Sequence, residues 1–257
     1  MFNNLRGFLM KRIYKLLIVI GIILLLFVST PYPCQSNKLY QVATLQSLTQ
    51  GCYDGAVSVK KLLKFGNNGI GTFEGADGEL ILIDGVVYKG KADGKTYPAE
   101  KYELVPFANA AFIRTDKVKE ASFTGGYNSL MKELNKLYPK ENMPVIFKID
   151  GEFKNVLYRN VPKQKRPYLP LKDVIKKQVI FNKESIKGSL VGFRFPAYMK
   201  NINMEGYHFS FISEDRNYGG HLLDVESGNI LIKAQSLNQI DIFLPEFIKN
   251  MKFNDNN

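Results

Sequence analysis

The 257-residue chain predicts an α+β fold: mixed β-sheets with few short helices, arranged as two sheet-based subdomains around a cleft. Three observations predict it. Short apolar runs are punctuated by Asp77-Gly78, Asp84-Gly85 and Asp150-Gly151, and Asp-Gly is among the strongest local signals for a tight turn between strands. Helical spacing of apolar residues is confined to brief stretches. Both histidines fall in one further pair of strand-like runs joined by a Gly-rich break.

The first thirty residues stand apart. Arg6, Lys11, Arg12 and Lys15 precede an apolar run of 13 residues, Leu16 to Val28, with no acidic residue before Thr30. That pattern reads as an export signal, and the run is shorter than the about 17–25 residues of a spanning helix. Pro31 directly after Ser29 and Thr30 keeps an uncleaved membrane anchor open as the other reading. Residues 31–37 form a linker, and Pro31-Tyr32-Pro33 lacks the small residue that lipidation of Cys34 would want. Cys34 and Cys52 read equally as a disulfide in an exported chain or as free thiols. Net charge is +11, and setting aside the four positive residues of the leader leaves +7. A mildly basic body suits an anionic small molecule. The lysines are dispersed and not interleaved with stacking aromatics, which argues against nucleic acid.

From residue 38 to 257 the elements follow in order, with a subdomain boundary expected near 140–160. Leu39 to Leu45 reads as a strand, Gly51 to Gly55 as a loop, and Val57 to Phe65 as a short helix stopped by Gly66-Asn67-Asn68-Gly69. Ile70 to Phe73, Glu79 to Ile83 and Val86 to Tyr88 form a meander. Ala108 to Arg114 is another strand, and Tyr127 to Tyr138 carries Leu130, Met131, Leu134 and Leu137 at helical spacing, as a core-facing helix does. Pro144 to Ile149 and Phe153 to Tyr158 read as two strands bent at Asp150-Gly151. A basic, proline-punctuated loop runs from Arg159 to Tyr168. A short helix at Leu171 to Gln178, a strand at Ser189 to Arg194 and a loop at Pro196 to Glu205 precede the histidine hairpin. Asn229 to Ala234 and Gln239 to Leu244 complete the strands.

In that hairpin Tyr207 to Ile212 alternates polar and apolar residues, and a second run follows His221. Pairing symmetric about the break sets His208 roughly opposite His221, with Ser210 on the same face as His208. Two imidazoles on a rigid strand pair with an open position beside them can build a catalytic metal site, so the cleft is read as a metal cleft. The plain alternative is a pair of hydrogen-bonded histidines in a packed sheet. Glu79, at a strand start after a tight turn, is either a restrained carboxylate or a solvated strand end. Arg159, at a strand end, is placed to reach a carboxylate.

Gly69-Ile70-Gly71-Thr72-Phe73 leading into Asp77-Gly78-Glu79-Leu80, then Arg159 to Tyr168, Gly206-Tyr207-His208 and Gly219-Gly220-His221-Leu222-Leu223 together resemble the alpha-acetolactate decarboxylase family. The resemblance covers roughly Lys38 to Leu244. It implies a homodimeric enzyme that converts 2-acetolactate to acetoin and carbon dioxide on Zn2+. It maps the metal ligands onto His208, position 210 and His221, and active-site roles onto Glu79 and Arg159. The sequence departs from the family at Ser210, where a second histidine belongs, and offers no counterpart after Pro245 for a C-terminal glutamate.

Decarboxylation leaves an electron pair that needs a sink. No dinucleotide fingerprint or organic-cofactor motif is visible, so a metal acting as Lewis acid is the implied sink. On the resemblance, Arg159 holds the departing carboxylate or enolate oxygen and Glu79 moves the proton. A hydroxyl is a poor zinc ligand beside imidazole, so Ser210 predicts weakened metal affinity. Two further readings stand beside the enzyme: a family member that binds a small hydroxy-keto acid without turnover, and an anchored cationic protein acting by charge.

Overall fold

The structure is a computed structural model and describes residues 37–115, 118–139 and 142–251. The expected export segment at 1–30, the linker up to residue 36, Cys34 and the tail after Met251 lie outside these residues. Among the described residues, no helix is long and apolar enough to cross a membrane.

Two main sheets carry the fold. The first runs in the order β14 (Gln239–Phe243), β1 (Lys38–Val42), β8 (Phe107–Ala111), β3 (Asn68–Thr72), β4 (Glu79–Ile83), β5 (Val86–Gly90) and β6 (Thr96–Pro98). Only β14 and β1 pair in parallel, so the sheet is mixed as expected. The meander is local in origin. Ile83 pairs with Val86 around Asp84 and Gly85, whose φ of 50° and 83° give the twist a two-residue hairpin needs. Asp77-Gly78 instead ends a longer connection containing a single turn of 3₁₀ helix at Glu74–Ala76. A small separate pair, β2 (Val57–Ser58) with β7 (Leu104–Val105), lies alongside.

The second sheet is formed by β10 (Val145–Asn160), β11 (Val179–Phe195), β12 (Gly206–Ser213), β13 (Gly219–Ser236) and β9 (Lys119–Ser122). Because β10 bonds both β11 and β13, the four long strands close into a ring. The two strands expected on either side of Asp150-Gly151 are therefore one. Asp150 faces Ser189 and Leu231, and Gly151 faces Gly188 and Ile230, so neighbours on both sides keep the chain extended. Glycine is required there by close approach: a Cβ at 151 would stand 2.9 Å from the Asn229 carbonyl oxygen. The strands foreseen at Ser189 to Arg194 and Asn229 to Ala234 are the C-terminal parts of 17- and 18-residue strands.

The helices are short: α1 (Leu45–Thr49), α2 (Val59–Leu62), α3 (Tyr127–Leu137) and α4 (Leu171–Ile175). The first strand stops earlier than expected because Ala43 turns to φ 58° and Thr44 caps α1 through a reciprocal bond pair with Ser47. α3 buries Leu130 and Leu134 fully against the ring, with Met131 and Leu137 packed beside them. A second core joins the sheets, with Leu39, Ile70 and Ile81 meeting Ile146, Val191, Phe193 and Ile212. It sets the edge of β4 against the β12–β13 hairpin.

Candidate metal centre

Three adjacent strands of the ring aim the site. Arg159 of β10 lies across from His221 of β13, and His221 across from Ser210 of β12. Directly paired residues project to one face, and His208 joins that face two positions along its strand. The expected register, with His208 opposite His221, is corrected by one step of the alternation: Ser210 holds that place because the turn extends from Ser213 to Tyr218, closed by the Ser213 amide donating to the Tyr218 carbonyl at 2.8 Å. The imidazoles still meet diagonally, with His208 Nε2 and His221 Nδ1 3.0 Å apart.

Glu79 arrives from the other sheet. Gly78, at φ 77°, brings the chain so close to β5 that a Cβ would stand 2.0 Å from the Gly90 carbonyl oxygen, and Glu79 is the next residue. Its Oε1 accepts a hydrogen bond from Ser210 Oγ at 2.7 Å and lies 3.8 Å from His221 Nδ1. Ser210 is fully buried, and the side chains of His221 and Glu79 keep only 16% and 15% of their exposure. The structure thus brings Glu79, Arg159, His208, Ser210 and His221 together, from segments up to 142 residues apart in the chain.

Burial sets the protonation states. The enclosed His208 ring, beside His221, is pushed down to about 3, with Arg159 adding to the effect and Glu79 opposing it. The ring is therefore uncharged at neutral pH. Burial alone would raise the Glu79 carboxyl, but the neighbouring His221 and His208 rings and the Ser210 hydroxyl bring it below the usual range. Burial lowers the pKa of the Arg159 guanidinium, and Glu79 works against that. An arginine stays cationic through such a shift. Among the described residues Arg159 makes no side-chain hydrogen bond or salt bridge, so its fork is available.

One carboxylate oxygen and one nitrogen from each histidine lie within 4.8 Å of one another. Donors around a single zinc at bond lengths of about 2.0–2.2 Å stand roughly 3.4 Å apart, so small side-chain adjustments suffice to hold one ion. Two histidines and a carboxylate form a donor set of catalytic sites. Glu79 thus offers the third donor that Ser210 cannot, and Ser210 steadies Glu79.

Glu79, Arg159, His208 and His221 open onto a cavity of about 110 Å³ between the sheets, walled mainly by apolar side chains including Leu48, Tyr53, Phe107 and Val161. That is far below the about 300–1,000 Å³ of pockets for drug-sized ligands, so only a small molecule fits. A wider groove of about 730 Å³ over β9, β10 and β11 contains none of the site residues. The cavity members Tyr53, Asn203 and Met204 are not singled out by the sequence, and Thr72 enters only as part of the Gly69 to Phe73 motif. Tyr53, a large aromatic inside a Gly-flanked loop, carries a faint signal; Asn203 and Met204 carry none.

The alpha-acetolactate decarboxylase family model matches residues 39–257. An alpha-acetolactate decarboxylase of Methanosarcina mazei is 41% identical over 74% of this chain and 66% of its own length. The Bacillus licheniformis enzyme of the same name is 38% identical over 81% of this chain and 83% of its own length. Among solved structures, alpha-acetolactate decarboxylase of Bacillus subtilis superposes with a TM-score of 0.82 at 35% identity, covering 85% of this chain and 94% of that one. A Staphylococcus aureus protein described as of unknown function and similar to alpha-acetolactate decarboxylase gives 0.81 at 29% identity, covering 84% and 94%.

Proposed function

Because this chain belongs to the alpha-acetolactate decarboxylase family, we propose that it converts 2-acetolactate to acetoin and carbon dioxide. The observation that carries this reading is the meeting of Glu79, His208 and His221 beside an unpaired Arg159 on the wall of one small, largely apolar cavity. Arg159 binds the substrate carboxylate by charge-assisted bonds and orients the bond to be broken. The apolar wall keeps bulk water from the reacting carbons and strengthens every charge interaction inside. Glu79 is already ionised; the carboxylate oxygen not bonded to Ser210 receives a proton from the substrate side and returns it to the carbon that lost carbon dioxide. His208 and His221, with Glu79, would hold a divalent cation, Zn2+ by this donor set, which when bound supplies Lewis-acid polarisation of the substrate oxygens.

Ser210 favours a second reading, a family member that binds a small hydroxy-keto acid without turnover. Assay of acetoin released by the zinc-supplemented protein, with bound zinc measured alongside, separates the two. On the enzyme reading Ser210→His tightens zinc binding by about tenfold or more and raises acetoin output at limiting zinc. A wild-type protein that takes up zinc and ligand but releases no acetoin above the spontaneous rate would leave only the binding role. We further propose that the chain is exported or tethered by its N-terminal segment and works as a homodimer. Cell fractionation and sedimentation of the purified protein test those two points.

A further inference from the structure

Among the described residues, the buried side-chain polar atoms left without a protein partner are Tyr40 Oη, Tyr53 Oη, Asn109 Nδ2, Asn155 Oδ1, Asn160 Oδ1 and Gln178 Oε1. Tyr53 alone of these residues lines the cavity that holds Glu79, Arg159 and both histidines. Its side chain is wholly buried, and its ring tilts against Tyr168 at 5.4 Å within the apolar cluster of Leu48, Phe107 and Val161. The backbone is pinned as well: the Tyr53 amide donates to the Gly51 carbonyl at 3.0 Å, and the Gly75 amide donates to the Tyr53 carbonyl at 2.8 Å. A buried hydroxyl with no partner is costly, and phenylalanine would fill the same space without that cost.

We propose that the Tyr53 hydroxyl is the specificity-determining group that hydrogen-bonds an uncharged oxygen, hydroxyl or ketone, of the small acid bound in this cavity. The assignment rests on the functional reading above for the class of ligand. Arg159 takes the carboxylate, and the apolar wall takes the methyl groups. Tyr53 supplies a neutral donor without a protein partner on a wall that is mainly apolar. Burial, with a smaller contribution from Cys52, pushes its phenol well above the ordinary range, so it keeps its proton and acts by hydrogen bonding. A site built around such a donor rejects a ligand lacking the matching oxygen, because the donor is then left unpaired.

The test compares the full-length wild type with Tyr53→Phe by titrating two acids of similar shape that cannot be decarboxylated by this route. One is 2,3-dihydroxy-2-methylbutanoate, which carries an oxygen at both positions. The other is 2,2-dimethylbutanoate, which carries neither, while the carboxylate is common to both. The expected result is that Tyr53→Phe binds the dihydroxy acid about tenfold more weakly, binds the dimethyl acid at least as tightly as the wild type does, and melts no lower than the wild type. Equal affinities in the two proteins, as for a hydroxyl satisfied by water alone, would overturn the proposal. So would a parallel fall for both acids, which marks a packing role, or failure of the wild type to bind either. Acetoin release by the wild type is measured in parallel. Tyr53-dependent binding without turnover would sink the decarboxylase reading alone, and turnover with Tyr53-independent binding would sink this proposal alone.

Discussion

Each site residue is defined by what surrounds it. Arg159 is the cation of the cavity with its fork unengaged. Arg159→Ala is expected to lower kcat/KM for 2-acetolactate by about 10²- to 10³-fold, the cost of removing one preorganised donor, and Arg159→Lys to recover only part because it lacks the fork. Steady-state kinetics check this. His208 sets a pH dependence whose sign follows from burial. Its pKa is about 3 when folded against 6.5 ordinarily, so between these values the unfolded chain binds a proton that the folded one does not. The stability this group contributes is complete above about pH 6.5 and is lost as pH falls through that window. Glu79, also depressed, acts in the same direction: its contribution is present above the ordinary carboxylate range and is lost as pH falls through its folded value. The melting temperature of metal-free protein should therefore fall steadily from pH 7 to pH 4, and His208→Gln should flatten the upper part of that fall. Turn, strand-end and hairpin context marks Glu79, Arg159, His208 and His221 in the sequence only as candidates, and the family resemblance supplies their implied roles. Tyr53 carries only the faint signal of an aromatic in a Gly-flanked loop, and Asn203 and Met204 carry none, because a cavity wall assembled from separate loops leaves little local pattern.

At the scale of elements, the turns and strand registers do the aiming. Gly78 combines φ 77° with a Cβ position 2.0 Å from the Gly90 carbonyl oxygen. Gly78→Ala must shift β4 away from β5, and the expected cost is about 1–3 kcal/mol by chemical denaturation together with loss of bound zinc, since Glu79 moves with the turn. The meander was legible because Asp84-Gly85 fixes its hairpin locally. The length of the ring strands was not. Residues 153 to 158 were seen as a strand, yet their continuity with 145 to 149 depends on β11 and β13 holding Asp150 and Gly151 extended from both sides. An Asp-Gly pair that would turn in isolation is overruled by two ladders of hydrogen bonds. β9, with alternating half-exposed residues and a short span, is recruited by β13 in the same way.

At the scale of the whole molecule, the apolar layer between the sheets holds the two halves of the site in register. Phe193, fully buried in that layer and stacked on Phe195 at 5.4 Å, is its largest kind of contributor. Phe193→Ala should cost about 3–5 kcal/mol and weaken zinc binding in proportion to the misplacement of Glu79. The ion pair of Lys148 with Asp84, at 2.6 Å, also links the sheets but has a half-exposed carboxylate. Asp84→Asn, tolerated at φ 50°, should cost under about 1 kcal/mol, and urea unfolding of both variants separates the two contributions. By itself the sequence determined the β-rich class, the hairpin turn at Asp84-Gly85, the core face of α3 and the residue types able to bind a cation and a carboxylate, because periodicity, turn chemistry and donor identity are local properties. Only the tertiary structure decided that Ser210 faces His221 and bonds Glu79, that Glu79 reaches the histidines from the opposite sheet, and that a small apolar cavity adjoins them. Those facts depend on ring closure and sheet packing, which join residues far apart in the chain through burial and backbone pairing that no short stretch encodes.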